Sequence, residues 1–154
     1  MLLILALDYE WVPFNYQGKQ LTFIEHMNTR LDRGLCSHWG PAVYKWEGVI
    51  EEGSQKGHVG VLIGETGDLR QRIKQYVSGT QPFGNKYWRD EFLTKGKIFL
   101  YILHIRKAVF SKEGGQTVTF EPHHLKSGNL RVLLEQLLIL GEVDSTKWLV
   151  NKKI

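Results

Sequence analysis

Cysteine is nearly absent from this chain: Cys36 is the only one in 154 residues. A lone cysteine excludes an internal disulfide and leaves a cysteine zinc site without its partners. Cys36 is expected as a buried thiol in a reducing compartment. Long apolar runs are missing too. No stretch approaches the roughly 18 residues of a membrane span. The opening MLLILAL (1–7) is apolar, but it is short, lacks a basic start and runs straight into Asp8 and Glu10. That pattern argues against a secretory leader and for an edge or core strand. Repeats, low-complexity tracts and long linkers are also lacking. What remains is ordinary globular usage, 42% hydrophobic and 23% charged, at a length that suits one domain with a real core. The expected protein is soluble and cytoplasmic, with no membrane partner.

Positive charge is unevenly spread. Residues 1–65 hold five Lys/Arg against eight Asp/Glu, residues 66–107 nine against three, and residues 108–154 six against five. The middle third is therefore a cationic block on a nearly neutral chain. Such a block attracts a polyanion, with an effect that weakens in salt. The bland alternative is a solvated face that aids solubility.

Hydrophobic periodicity outlines the elements. Leu2–Leu7 and Leu21–Ile24 read as short strands, followed by a helical turn ending near Gly34. PAVYKWEGVI (41–50) and HVGVLIG (58–64) read as an antiparallel hairpin across the turn EEGSQKG. Val59, Val61 and Ile63 then point to one face, Gly60, Leu62 and Gly64 to the other. Thr66 is the expected N-cap of a helix that buries Leu69, Ile73 and Tyr76–Val77. KYWRDEFLTKG suits a short helix stopped at Gly96. KIFLYILHI (97–105) is apolar on both faces, as a central strand would be. Val109–Phe110 and Thr117–Phe120 suggest a second hairpin. NLRVLLEQLLIL (129–140) is a helix in which Glu135 stands among leucines. A carboxylate there sits either on a solvent stripe or beside a cation.

Three features align: a strand with Ala42-Val43-Tyr44; a strand ending Leu62-Ile63-Gly64 that leads through Glu-Thr-Gly-Asp-Leu into a helix carrying Arg72; and a later helix with Leu134-Glu135. Together they resemble the GIY-YIG nuclease superfamily over roughly residues 40–151. The resemblance implies an α/β fold, a small central antiparallel sheet flanked by helices, with residues 1–39 as an extension packed on a domain at 40–154. It implies a metal-dependent DNA endonuclease that hydrolyses phosphodiester bonds. Tyr44 matches the tyrosine of the first motif, Arg72 the helix arginine, Tyr76 the His-or-Tyr position one turn later, and Glu135 the metal-binding glutamate. Asn151 loosely matches an asparagine near the domain end. Ala-Val stands where the family has Gly-Ile, and Leu62 stands where it has tyrosine.

Hydrolysis needs an activated water, stabilisation of charge on phosphorus and neutralisation of the leaving oxygen. The resemblance assigns one divalent cation, Mg²⁺ or Mn²⁺, to Glu135, with waters completing its shell. It assigns the scissile phosphate to the planar guanidinium of Arg72. Tyr44 would orient or deprotonate the water, which requires that nearby positive charge lower a phenol pKa of about 10. Leu62 can do none of this. His58 shares its strand face but lies about 13 Å along it; His104 could reach in from a neighbouring strand. His123 and His124 read as loop residues. Arg70, Lys74, Lys86 and Arg89, with Trp88, are the expected nucleic-acid contacts, on double-stranded DNA. The chain is expected as a monomer or a homodimer. The alternative is a catalytically impaired relative that binds nucleic acid without cutting.

Overall fold

The computed structural model describes residues 2–28, 40–77, 86–115, 117–142 and 147–149. The elements in chain order are β1 (Leu3–Pro13), a small hairpin of β2 (Asn15–Tyr16) and β3 (Lys19–Gln20), α1 (Phe23–Asn28), β4 (Ala42–Ile50), β5 (Val59–Thr66), α2 (Leu69–Val77), α3 (Lys86–Lys95), β6 (Gly96–Lys112), β7 (Thr117–Thr119), a 3₁₀ turn (Pro122–Lys126), α4 (Gly128–Glu142) and β8 (Lys147–Leu149). The main sheet has the order β1-β6-β4-β5-β8, with β7 paired to the outer part of β6. All its pairings are antiparallel except β5 with β8. The architecture is α/β, a mostly antiparallel sheet flanked by helices. Among the described residues no helix is long and apolar enough to cross a membrane.

The N-terminal region departs from the expected short strands. β1 runs on to Pro13 along β6, from Leu3 opposite Lys112 to Pro13 opposite Tyr101. Leu21–Ile24 is the entry to α1, not a strand. Its determinant is the spacing Thr22-x-x-Glu25. The Thr22 amide donates to Glu25 Oε2 at 2.7 Å and the Glu25 amide donates to Thr22 Oγ1 at 3.3 Å, a reciprocal cap that satisfies two helix-terminal donors.

Two apolar layers sandwich the sheet. On one face α1, α2 and α3 bury Phe23, Leu69, Ile73 and Phe92 against Tyr44, Trp46, Leu62, Ile98 and Leu100. On the other, α4 buries Leu134, Leu138 and Ile139 against Val43, Val61, Ile63 and Leu103. Each such side chain contributes about 1.5–3 kcal/mol on burial. The β5 alternation follows the predicted faces. Gly48 and Gly60 lie opposite each other in register and open a slot for one ring. A Cβ at residue 60 would come within 2.3 Å of Phe92, and one at residue 48 within 2.6 Å. Two glycines in neighbouring strands thus set the depth at which α3 docks.

The same layer holds a buried histidine. His26 is 0% exposed, between the rings of Phe14 and Trp46 at 5.7 and 5.9 Å. Neither ring nitrogen has a hydrogen-bond partner among the described residues. Burial pushes its pKa down from 6.5 to about 4, against the opposing pull of Glu25. Folded His26 is therefore neutral where an unfolded histidine takes a proton, and stability is lost as pH falls from 6.5 through 4. The loss reaches about 3 kcal/mol, at roughly 1.4 kcal/mol per pH unit. Urea unfolding across that range should show it, and His26→Phe should flatten the profile. A wild-type profile no steeper than that of His26→Phe refutes the assignment.

Candidate active site

Tyr44 sits on β4 directly opposite Gly64 of β5. The glycine has no side chain, so the tyrosine ring lies over its Cα; a Cβ there would meet the phenol oxygen at 2.4 Å. The glycine of the Leu-Ile-Gly motif is thus a steric requirement of Tyr44. After Gly64 the chain leaves the sheet through Thr66-Gly67-Asp68. Thr66 Oγ1 accepts the Asp68 amide at 3.1 Å and Asp68 Oδ1 accepts the Gln71 amide at 3.0 Å. The N-cap of α2 is therefore Asp68, not Thr66; Thr66 is the last residue of β5 and shapes the turn.

Buried Leu69 and Ile73 fix the roll of α2. With that roll set, Arg72 and Tyr76, four residues apart, share the face turned toward Tyr44. The Tyr44 and Tyr76 hydroxyls are 3.2 Å apart, their rings edge-to-face at 6.1 Å. Arg72 is half-buried, and its Nε is buried without a hydrogen-bond partner among the described residues. Its positive charge acts on both the Tyr44 hydroxyl and the Glu135 carboxyl. Glu135 is half-buried on α4 and its charge also reaches Tyr44. It is not on a solvent stripe. Four side chains predicted as one constellation are therefore neighbours in space.

Their protonation follows from burial. Tyr44 is 2% exposed. Burial first, and then Tyr76, hold its pKa well above 10, although Arg72 pulls the other way. It is a neutral phenol at physiological pH. Burial, and next the charge of Glu65, raise the pKa of Glu135; hydrogen bonds from Gln136 and the Glu65 main chain, together with Arg72, oppose them.

Glu65 and Arg131 were not legible as site residues. Arg131 is 9% exposed, donates from Nε to Glu65 Oε2 at 2.7 Å, and donates from Nη1 to the carbonyls of Leu125 and Lys126 at 2.8 and 3.1 Å. One guanidinium thus ties the end of β5 to the 3₁₀ turn and to α4. The available signal was spacing: Arg131 lies one helical turn before Glu135, and Glu65 directly follows Gly64.

No family model, curated protein or solved structure matches this chain.

Several expectations are corrected. Leu62 lies opposite Trp46 and is packed into the core at 8% exposure, so its position offers no polar group. The hydroxyl beside Tyr44 comes from Tyr76. His58 is exposed just before β5. His104 is exposed on β6, two residues beyond the Ile102 that pairs with Tyr44, and its Nδ1 lies 3.0 Å from Glu10 Oε1 of β1. The cationic block is dispersed: Arg106 pairs with Asp8 at 2.7 Å and with Glu10 at 3.2 Å, Lys97 with Glu51 at 3.1 Å and Lys95 with Glu91 at 2.8 Å. Arg70 and Lys74 lie about 200° around α2 from Arg72, on a separate flank, with Lys74 exposed. The side chains of Lys86, Trp88 and Arg89, and all of Cys36 and Asn151, lie outside the described residues.

Among the described residues no three His, Cys, Asp or Glu side chains form a metal cluster. A hard cation fits the donor chemistry differently. Glu135 carries a charge that burial and Glu65 both disfavour, which a divalent cation with its own waters would relieve.

Two outcomes are expected. Arg131→Met should lower stability by about 3 kcal/mol in urea unfolding, because it strands Glu65. Wild type should lose stability above pH 10, where unfolded Tyr44 ionises and the folded phenol does not, and Tyr44→Phe should lose less.

Proposed function

We propose that this protein is a small endonuclease of the GIY-YIG type that hydrolyses phosphodiester bonds in DNA. The observation that supports it is the grouping of Tyr44, Tyr76, Arg72 and Glu135 from three elements around one point, with the Arg72 Nε without a hydrogen-bond partner among the described residues. A half-buried guanidinium whose charge reaches Tyr44 and Glu135 is suited to receive a phosphate.

Arg72 receives the scissile phosphate and balances the charge that grows on its oxygens as water attacks. The Tyr44–Tyr76 hydroxyl pair orients that water. Tyr44 is a neutral phenol that holds the attacking water by hydrogen bonding and does not take its proton, which goes to solvent as the water oxygen bonds to phosphorus, and solvent protonates the leaving oxygen. The bond from phosphorus to its leaving oxygen then breaks. Glu135 would hold Mg²⁺ or Mn²⁺, and such a cation would supply Lewis-acid neutralisation of developing negative charge. Arg70 and Lys74, on the flank of α2, contact backbone phosphates without reading sequence.

Leu62 favours a second reading. Its position is apolar and sealed, and the burial that keeps Tyr44 protonated weakens it as a base. On that reading the chain is a nucleic-acid-binding module that no longer cuts.

Plasmid cleavage in Mg²⁺ and in Mn²⁺ separates the two. For the nuclease, wild type cuts, and Arg72→Ala and Glu135→Ala lose roughly 10²–10³ in rate. For the binding module, wild type is silent but retards DNA in a salt-dependent way that Arg70→Ala and Lys74→Ala weaken, and Leu62→Tyr restores cutting. No cutting and no salt-dependent binding refutes both.

A further inference from the structure

The strand at the far edge of the sheet from α2 carries a second feature. Among the described residues β1 pairs only with β6, so its outer side is an open row of amides and carbonyls. Its direction is known. Leu2 turns both main-chain groups toward β6, with its carbonyl accepting the Glu113 amide at 2.9 Å and its amide donating to the Glu113 side chain at 3.2 Å. Main-chain groups alternate along a strand, so Ile4 and Ala6 also face β6. Leu3, Leu5 and Leu7 present theirs outward.

The two halves of this edge differ in kind. The C-terminal half has a register shift between Asp8 and Tyr9, exposed carboxylates at Asp8 and Glu10 held by Arg106 and His104, and Pro13 at its end. Bulge, charge and proline are the devices by which edge strands avoid pairing. The N-terminal half has none of them. Leu2, Leu3 and Ile4 are 57%, 74% and 52% exposed, and no charge interrupts Leu2–Leu7.

We infer that β1 pairs antiparallel with β1 of a second copy of this chain, centred on Leu5, to join two sheets into one. With that centre, Leu5 opposes Leu5 of the other copy, and Leu3 opposes its Leu7. All three residues carry outward amides and carbonyls, so three pairs exchange about six hydrogen bonds. Ile4 packs beside Ala6 of the second copy. Charge selects this register. A centre on Asp8 would place two carboxylates face to face; a centre on Leu5 leaves them at opposite ends of the paired stretch, about 20 Å apart at 3.3–3.4 Å per residue. The two-fold contact is isologous and closes at two copies. It goes beyond the proposed nuclease reading and stands without it, since none of its residues touches Tyr44, Arg72 or Glu135.

Sedimentation velocity over a concentration series, together with cysteine crosslinking, tests it on the full chain. Wild type should be a monomer–dimer equilibrium. Leu5→Pro removes an outward amide and no bond to β6, and should raise the dissociation constant by about tenfold or more. In a Cys36→Ser background, Leu5→Cys should form an intermolecular disulfide on mild oxidation, because paired Cα atoms there are about 5.5 Å apart. Ala6→Cys, offset by two residues from its own copy at about 7–8 Å, should not. A monomer at every concentration overturns the inference. So does a dimer in which Leu5→Cys crosslinks no better than Ala6→Cys, which would place the contact elsewhere. The crosslinking arm decides the matter if Leu5→Pro fails to fold.

Discussion

The register between β4 and β5 is the constraint on which the rest of this molecule depends. It sets Tyr44 over Gly64 and Gly48 over Gly60, so each glycine position receives a ring that no other residue would admit. One ring is the site's tyrosine, and the other is the Phe92 anchor of α3. A slip of β4 by one residue would turn Tyr44 to the opposite face, against α4, and would break the Gly48–Gly60 slot that Phe92 fills. The same pairing orients the exit of β5, and through Thr66 and Asp68 the start of α2. Arg72 and Tyr76 inherit their aim from it.

Around this frame the polar groups that enter the interior are compensated in pairs. Arg131 is spent on Glu65 and two carbonyls. Lys45, 5% exposed, sits 3.2 Å from Glu47 and 5.0 and 5.2 Å from the ring centres of Trp11 and Tyr101. Such pairs stabilise little relative to apolar packing, but losing one partner is expensive, which makes them specifying contacts. Against that background the uncompensated groups stand out. His26 answers by remaining neutral. The Arg72 guanidinium keeps its charge, and its buried Nε has no hydrogen-bond partner among the described residues.

The two ends of the sheet are built for different tasks. At α2 the chemistry lies in a few half-buried polar side chains held by packed helices. At β1 the outward groups belong to the backbone of Leu3, Leu5 and Leu7, in a stretch that carries no charge from Leu2 to Leu7. The two ends are joined through α4, which packs on Leu7, Tyr9 and Trp11 of β1 and accepts the Trp11 indole at Glu142 Oε1 at 2.8 Å.

Much of the site was legible in the sequence because its information is local. The two β4–β5 strands, Gly64, and the spacing of Leu69, Arg72, Ile73 and Tyr76 follow from period-2 and period-3.6 patterning within one stretch of chain. The α4 pattern likewise announced its own buried face. Other features are decided by contacts between distant residues, which a linear pattern does not encode. Glu65 and Arg131 are 66 residues apart, and only packing α4 on β5 brings them together. His104 lies on an apolar strand by pattern, yet its side chain is exposed and paired with Glu10 of β1. The cationic block loses much of its character because its partners come from β1 and the β4–β5 turn. Sequence determined the elements and the residues able to do chemistry, since propensity and periodicity act at short range. Tertiary structure alone decided which charges survive as free charges, because burial and pairing depend on neighbours that the fold brings from far along the chain.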